Sequence, residues 1–259
     1  MCELLGMSAN VPTDICFSFA GLMQRGGKTG PHRDGWGISF YEGRGLREFK
    51  DPFPSCTSEI AKLIRNYPIK SHVVISHIRQ ANAGRVCLEN THPFTRELWG
   101  RYWSYAHNGQ LKGIKKKALN YYFPVGTTDS EYAFCWIMDQ IRTAFPKKPR
   151  SNKALSRLLH TLSEELRSLG VFNMLLTDSS HLYCYCSTKL SWLTRQAPFD
   201  RATLKDDEFT IDFEKETTPN DIVTIIATEP LTDNESWARL NTGQMVVFKD
   251  GVLLHQLNG

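Results

Sequence analysis

Cys2 places a thiol one residue from the start of the chain. If Met1 is removed, that residue carries both a thiol and an α-amino group with a pKa of about 7.7–8.0, suited to act as base for the thiol directly or through a water. Without partners, such a cysteine is a small hydrophobe. Three further segments supply partners. Arg79 lies in Ser76-His77-Ile78-Arg79-Gln80-Ala81-Asn82, at the end of an apolar stretch. At the mouth of a strand an arginine can hold a carboxylate with two parallel hydrogen bonds; on an edge it is only a surface charge. Tyr105-Ala106-His107-Asn108-Gly109 predicts a strand running into an Asn-Gly turn. That turn would aim the Asn108 side-chain NH2 and the Gly109 N–H at one point, as an oxyanion hole requires. His107 is expected to pack rather than act as a base, because the α-amine already fills that role. In Thr127-Thr128-Asp129-Ser130-Glu131, Thr128 or Asp129 reads as a helix N-cap worth roughly 0.5–2 kcal/mol. The Asp129 carboxylate could equally hold a substrate ammonium. A nucleophile, an oxyanion hole, an arginine for a carboxylate and an aspartate for an ammonium together can read a free amino acid and attack its side chain.

These groups need elements to hold them. An apolar opening over 2–7 predicts a buried strand, and a helix is expected over 12–22, where Ile15, Phe19 and Leu22 share a face. Aromatic and β-branched content predicts strands over 36–41, 46–49, 72–79 and 101–107, with a short helix over 57–67. Strong helices are expected over 129–145 and 152–169, separated by 146–150, then strands over 171–177, 182–187, 222–228 and 245–248. Strands, then a helix pair, then strands suit an α+β fold of antiparallel sheets with helices on their outer faces. No repeat or linker interrupts it, so one domain over 1–259 is expected. The glycine-rich 26–31 segment lacks the strand before it and the GK[ST]-opened helix after it that a phosphate loop needs.

Composition narrows the class. Of 259 residues, 41% are hydrophobic and 22% charged, ordinary for a globular protein, and the net charge of +4 demands neither nucleic acid nor membrane. The lysine-rich 112–117 and 147–150 segments read as solvated loops. No apolar run approaches the ~20 residues of a membrane helix, and the opening lacks the features of a secretory signal. Seven cysteines, an odd number, read as free thiols of a cytoplasmic protein. The eight histidines lack the spacing of a metal site, and no cofactor is expected.

Taken together, Met1-Cys2, Asp34-Gly35-Trp36-Gly37, His77-x-Arg79, Asn90-Thr91-His92-Pro93-Phe94, His107-Asn108-Gly109 and Thr128-Asp129-Ser130-Glu131 resemble the class II glutamine amidotransferases, which have the N-terminal-nucleophile hydrolase fold. Within that family the chain is most similar to the small stand-alone YafJ-type members, nearly to its C-terminus. The resemblance implies a four-layer αββα sandwich of two antiparallel sheets. It implies that Cys2 forms a γ-glutamyl thioester, that Asn108 and Gly109 make the oxyanion hole, that Arg79 binds the substrate α-carboxylate and that Asp129 binds its α-ammonium. Where synthase-linked relatives have a Thr after Arg-x-Ala, this chain has Asn82, so hydrogen bonding to substrate there is expected to differ. With the sequence ending at Gly259, no second, ammonia-consuming domain is expected in this chain. The expectation is therefore either an ammonia-accepting partner protein or plain hydrolysis, of glutamine or of a γ-glutamyl peptide or amide. A retained Met1 would remove the base and suit instead a non-catalytic, glutamine-binding regulatory protein.

Overall fold

A computed structural model of the chain describes residues 2–81 and 84–259. Met1 and Asn82, on which two of these expectations rest, lie outside the described residues. The apolar opening forms β1 (Glu3–Thr13), longer than expected. Its far end continues the ladder, with Ala9 opposite Val223 and the Asn10 N–H on the Ile222 carbonyl at 3.1 Å. Pro12 was expected to open a helix. It falls instead where the register of β1 shifts between Ser8 and Thr13, a place where a missing N–H costs no regular ladder bond. Helix α1 (Cys16–Arg25) starts a turn later, where the Asp14 carboxylate accepts the Cys16 N–H at 3.2 Å.

The chain continues through β2 (Trp36–Glu42), β3 (Gly45–Asp51), α2 (Glu59–Asn66), β4 (Ser71–Ile78), β5 (Phe94–Leu98) and β6 (Arg101–Leu111). The helix pair follows as α3 (Asp129–Ala144) and α4 (Asn152–Arg167). Then come β7 (Gly170–Thr177), β8 (Leu182–Tyr185), β9 (Ser191–Arg195), β10 (Arg201–Thr203), β11 (Thr210–Asp212), α5 (Phe213–Glu216), β12 (Val223–Ala227), β13 (Ala238–Arg239), β14 (Met245–Lys249) and β15 (Val252–Leu257). One antiparallel sheet has the order β13-β9-β12-β1-β4-β2-β3 and the other β15-β14-β8-β7-β6-β5, while β10 and β11 pair apart as a ribbon.

Side-chain alternation along each strand builds three cores. Leu4, Val73 and Ile75 of the first sheet meet Ala106, Leu175, Val246 and Phe248 of the second between the sheets. On the outer face of the first sheet, Leu5, Met7, Val74 and Ile225 pack under α1 and α2. On the outer face of the second, Trp103, Tyr105, Phe172 and Met174 pack under Phe134, Ile141, Leu159 and Leu166 of α3 and α4. Helices, sheet, sheet, helices: this is the αββα sandwich. No helix among the described residues is long and apolar enough to cross a membrane.

Candidate active site

Cys2 precedes β1 at the edge of the inter-sheet layer. Alternation from Leu4, which faces that layer, turns the Cys2 side chain the same way. Its Sγ lies 3.3 Å from the Gln80 N–H, which donates to it, and 3.5 Å from the Gln80 carbonyl. Burial pushes the thiol pKa up, opposed by the Gln80 N–H and by the Arg79 charge.

Gln80 belongs to the segment that leaves β4. The Asp34–Gly35 turn holds this segment: the Arg79 N–H donates to the Gly35 carbonyl at 2.8 Å, and the Ala81 N–H to the Asp34 carboxylate at 2.7 Å. Arg79 is nearly fully buried, and its Nη1 donates to the Arg85 carbonyl at 3.1 Å. Asn90, also buried, ties that loop to the start of α3, donating to the Arg85 carbonyl at 3.1 Å and accepting the Thr127 N–H at 2.8 Å. Thr128 caps α3 by accepting the Glu131 N–H at 3.1 Å. The cap reading and a site reading therefore fall on adjacent residues.

The expected Asn-Gly turn is absent, because β6 runs straight through Asn108 and Gly109 to Leu111. The partner strand β7 explains this, with Asn108 opposite Asn173 and Gly109 opposite Phe172. A Cβ on Gly109 would be driven into the Val171 carbonyl, so glycine serves close strand approach here, not a turn. A free backbone N–H arises here without a turn. The Lys112 N–H donates to the Leu169 carbonyl at 3.0 Å, which fixes the phase of the antiparallel ladder. Residues 108 and 110 then point their N–H groups at β7, and residues 109 and 111 point theirs away. The Leu111 N–H goes to Asp129 Oδ2 at 2.7 Å. β5 covers this edge only as far as Tyr105, so the Gly109 N–H emerges beside Asp129 from an uncovered strand edge.

Cys2, Arg79, Gly109 and Asp129 line one cavity of about 260 Å³, with His92, Lys112 and Lys115 among the other walls. Asn108 does not contribute to the lining. Its side chain is wholly buried, and neither Nδ2 nor Oδ1 has a hydrogen-bond partner among the described residues. Asp129 also accepts the Ser130 N–H at 2.9 Å, which leaves lone pairs for an ammonium.

His107 packs as expected, with Nδ1 2.8 Å from Ser130 Oγ and Nε2 3.1 Å from the Val171 carbonyl. The His77 and His92 rings lie with centroids 4.1 Å apart and planes tilted by 36°, and their nitrogens have no hydrogen-bond partner among the described residues. Burial pushes His77 down to about 3 and His92 well below the ordinary imidazole range. The roles of Gln80, Asp34 and Asn90 were not read from sequence. Each lies in a segment recognised there, but each acts through its position in space.

The family described as Glutamine amidotransferases class-II matches residues 1–258. The chain is 61% identical over 248 residues to "Putative glutamine amidotransferase YafJ" of Escherichia coli (strain K12), covering 96% of this chain and 97% of that protein. It is 44% identical over 259 residues to "Putative glutamine amidotransferase" of Haemophilus influenzae, covering 100% of this chain and 88% of that one. A crystal structure of a "predicted glutamine amidotransferase" from Pseudomonas aeruginosa PA01 superposes with a TM-score of 0.79 at 54% identity, covering 98% of this chain and 100% of that one. Glutamine phosphoribosylpyrophosphate amidotransferase from B. subtilis shares the fold, with a TM-score of 0.62 at 14% identity over 99% of this chain and 49% of that one.

Proposed function

This chain belongs to the class-II glutamine amidotransferases, and we propose that it hydrolyses the side-chain amide of glutamine through a γ-glutamyl thioester on Cys2, releasing ammonia. The observation that carries the reading is the convergence of Cys2, Arg79, the Gly109 strand edge and Asp129 on one cavity small enough to suit a free amino acid. Arg79 takes the α-carboxylate with nitrogens its bond to Arg85 leaves free, and Asp129 takes the α-ammonium. After loss of Met1 the α-amine of Cys2 removes the thiol proton, and Sγ attacks the amide carbon. The oxyanion receives the Gly109 N–H and the Asn108 carboxamide. The amine delivers its proton to the departing nitrogen as the C–N bond breaks, and water then cleaves the thioester to glutamate and free Cys2. The strongly depressed His77 and His92 are poor bases at neutral pH, which favours the α-amine.

The ammonia passes either to water or to a partner protein. γ-Glutamyl peptides and amides present the same acyl group, and exposed Lys112 and Lys115 at the cavity wall favour keeping such substrates as the second reading. The test combines ammonia release with intact mass before and after an electrophilic glutamine analogue. The expected result is a chain lacking Met1, a single adduct on Cys2, and complete loss of both turnover and adduct in Cys2→Ala. Ammonia release by Cys2→Ala at the parent rate would end the proposal. Saturable glutamine binding without release would point to the regulatory reading.

A further inference from the structure

A chain end frays unless something ties it down, and the proposed nucleophile becomes a chain end. One tie is the Gln80 N–H on Sγ. A second lies on the opposite face of the sheet, at the next residue. Glu3 alternates away from Cys2, toward α1, and its carboxylate accepts Nη1 of Arg25 at 3.1 Å; both side chains are about nine-tenths buried. Arg25 is the last residue of α1, and its guanidinium is almost fully used. Nε donates to Asp206 at 2.8 Å, Nη1 also to the Glu229 carbonyl at 3.1 Å, and Nη2 to the Pro230 carbonyl at 2.7 Å. The segment it grips beside Glu3 is the one that flanks β1. The Thr228 N–H donates to the Leu4 carbonyl at 3.1 Å, and the Leu4 N–H to Thr228 Oγ1 at 2.9 Å.

We propose that Arg25 is a positioning residue for Cys2, holding the first residues of β1 and the 228–230 segment as one rigid seat from which the thiol faces the substrate. The proposal rests on the reading of Cys2 as the nucleophile. Arg25 is not among the residues that line the cavity. Its fork suits the task because one planar group reaches two carboxylates and two carbonyls at fixed angles, which an ammonium cannot.

Three variants test it: Arg25→Met, Arg25→Lys and the double variant Glu3→Gln/Arg25→Met. Arg25→Met strands the Glu3 carboxylate, takes the guanidinium from Asp206 and is expected to fold poorly, whereas the double variant removes the more buried charge of Glu3 together with that of Arg25 and leaves Asp206 with the Thr29 hydroxyl at 2.7 Å, which relieves most of that penalty. Misplacing a reacting atom by about an ångström costs on the order of 10²-fold. The folded double variant should therefore show kcat lowered about 100-fold with KM for glutamine within about twofold, since Arg79 and Asp129 are untouched. Arg25→Lys, which keeps the pair with Glu3, should recover part of kcat. A second readout needs no turnover: iodoacetamide alkylation of Cys2, followed by peptide mass against pH. A frayed Cys2 should react faster at pH 7, with its midpoint moving down toward an ordinary thiol, about 8.5. A double variant with parental kcat and alkylation profile overturns the proposal, as does a rise in KM matching the loss in kcat. If the parent protein releases no ammonia from glutamine, the functional reading fails instead, and the alkylation profiles alone decide the role of Arg25.

Discussion

Asn108 is enclosed on all sides, yet its carboxamide has no partner among the described residues. Leaving such a group unsatisfied typically costs about 1–3 kcal/mol. Groups of this kind are rare in folded proteins and tend to be explained by catalysis or by an absent ligand. Stability and activity should therefore move in opposite directions at this position. In Asn108→Leu, an apolar side chain of similar size replaces an unpartnered amide. We expect unfolding stability to hold or rise by about 1 kcal/mol, while kcat falls by about 10²–10³-fold, the cost of one oxyanion donor. Urea melts and ammonia release on the same preparation check both halves. Lost stability together with retained turnover would show a packing residue and no oxyanion donor.

At the scale of elements, β6 is the decisive one, because its alternation serves two purposes at once. One row of side chains, Trp103, Tyr105 and His107, goes to the α3 face, and the other, Ser104, Ala106 and Asn108, to the inter-sheet layer. The edge left uncovered beyond β5 offers the Gly109 N–H. Gly109→Ala would press a methyl against the Val171 carbonyl and splay β6 from β7. The expected outcome is a loss of about 1–3 kcal/mol, the usual range for overpacking a well-packed core, with turnover falling at least as far as in the Asn108 variant. Thermal melts with glutaminase assays on the folded fraction would test it. This strand also marks where sequence reading stopped. Cys2, Arg79, Gly109 and Asp129, singled out in the sequence by residue type and company, line one cavity, whereas Asn108 does not reach its lining. Long apolar strands such as β4 and β7 and the two helices α3 and α4 were legible from periodicity. The Asn-Gly pair was misread as a turn because local turn preference says nothing about the partner strand opposite it. Short mixed strands such as β5 and β13, and the half-exposed β15, have too little apolar pattern to announce themselves and are defined by what they pair with. Gln80, Asp34 and Asn90 act through backbone contacts to loops distant in sequence, and no spacing rule encodes those.

For the whole molecule, the three imidazoles buried between and above the sheets tie stability to pH. Burial lowers His77 to about 3, lowers His92 well below its ordinary range and lowers His107, although Asp129 opposes the last of these shifts. In the unfolded chain each titrates near 6.5. Between about 3 and 6.5 the unfolded chain therefore carries a proton on His77 that the native protein refuses, so stability is complete above about pH 6.5 and declines as the pH drops toward 3. The slope is about 1.4 kcal/mol per pH unit for each such group. Two carboxyls bear on the same curve. Asp178, held down to about 2 with help from His181 despite its burial, also lowers stability on acidification, but only below about 3.8, where it titrates when unfolded. Glu3, pushed up by burial against the pull of Arg25, acts in the opposite sense above its ordinary range, since there the native state holds the extra proton. The total slope mixes these groups, so the clean measurement is a difference between two proteins. His77→Phe keeps a flat ring against His92 and removes one titrating site. Urea midpoints at pH 7.5, 6.5, 5.5 and 4.5 should converge for parent and variant at the alkaline end up to a constant offset. Below 6.5 the variant should lose stability less steeply, by about 1.4 kcal/mol per unit. Parallel curves down to pH 4.5 would mean that His77 takes its proton in the folded protein, and that the space between the sheets is wetter than its packing indicates.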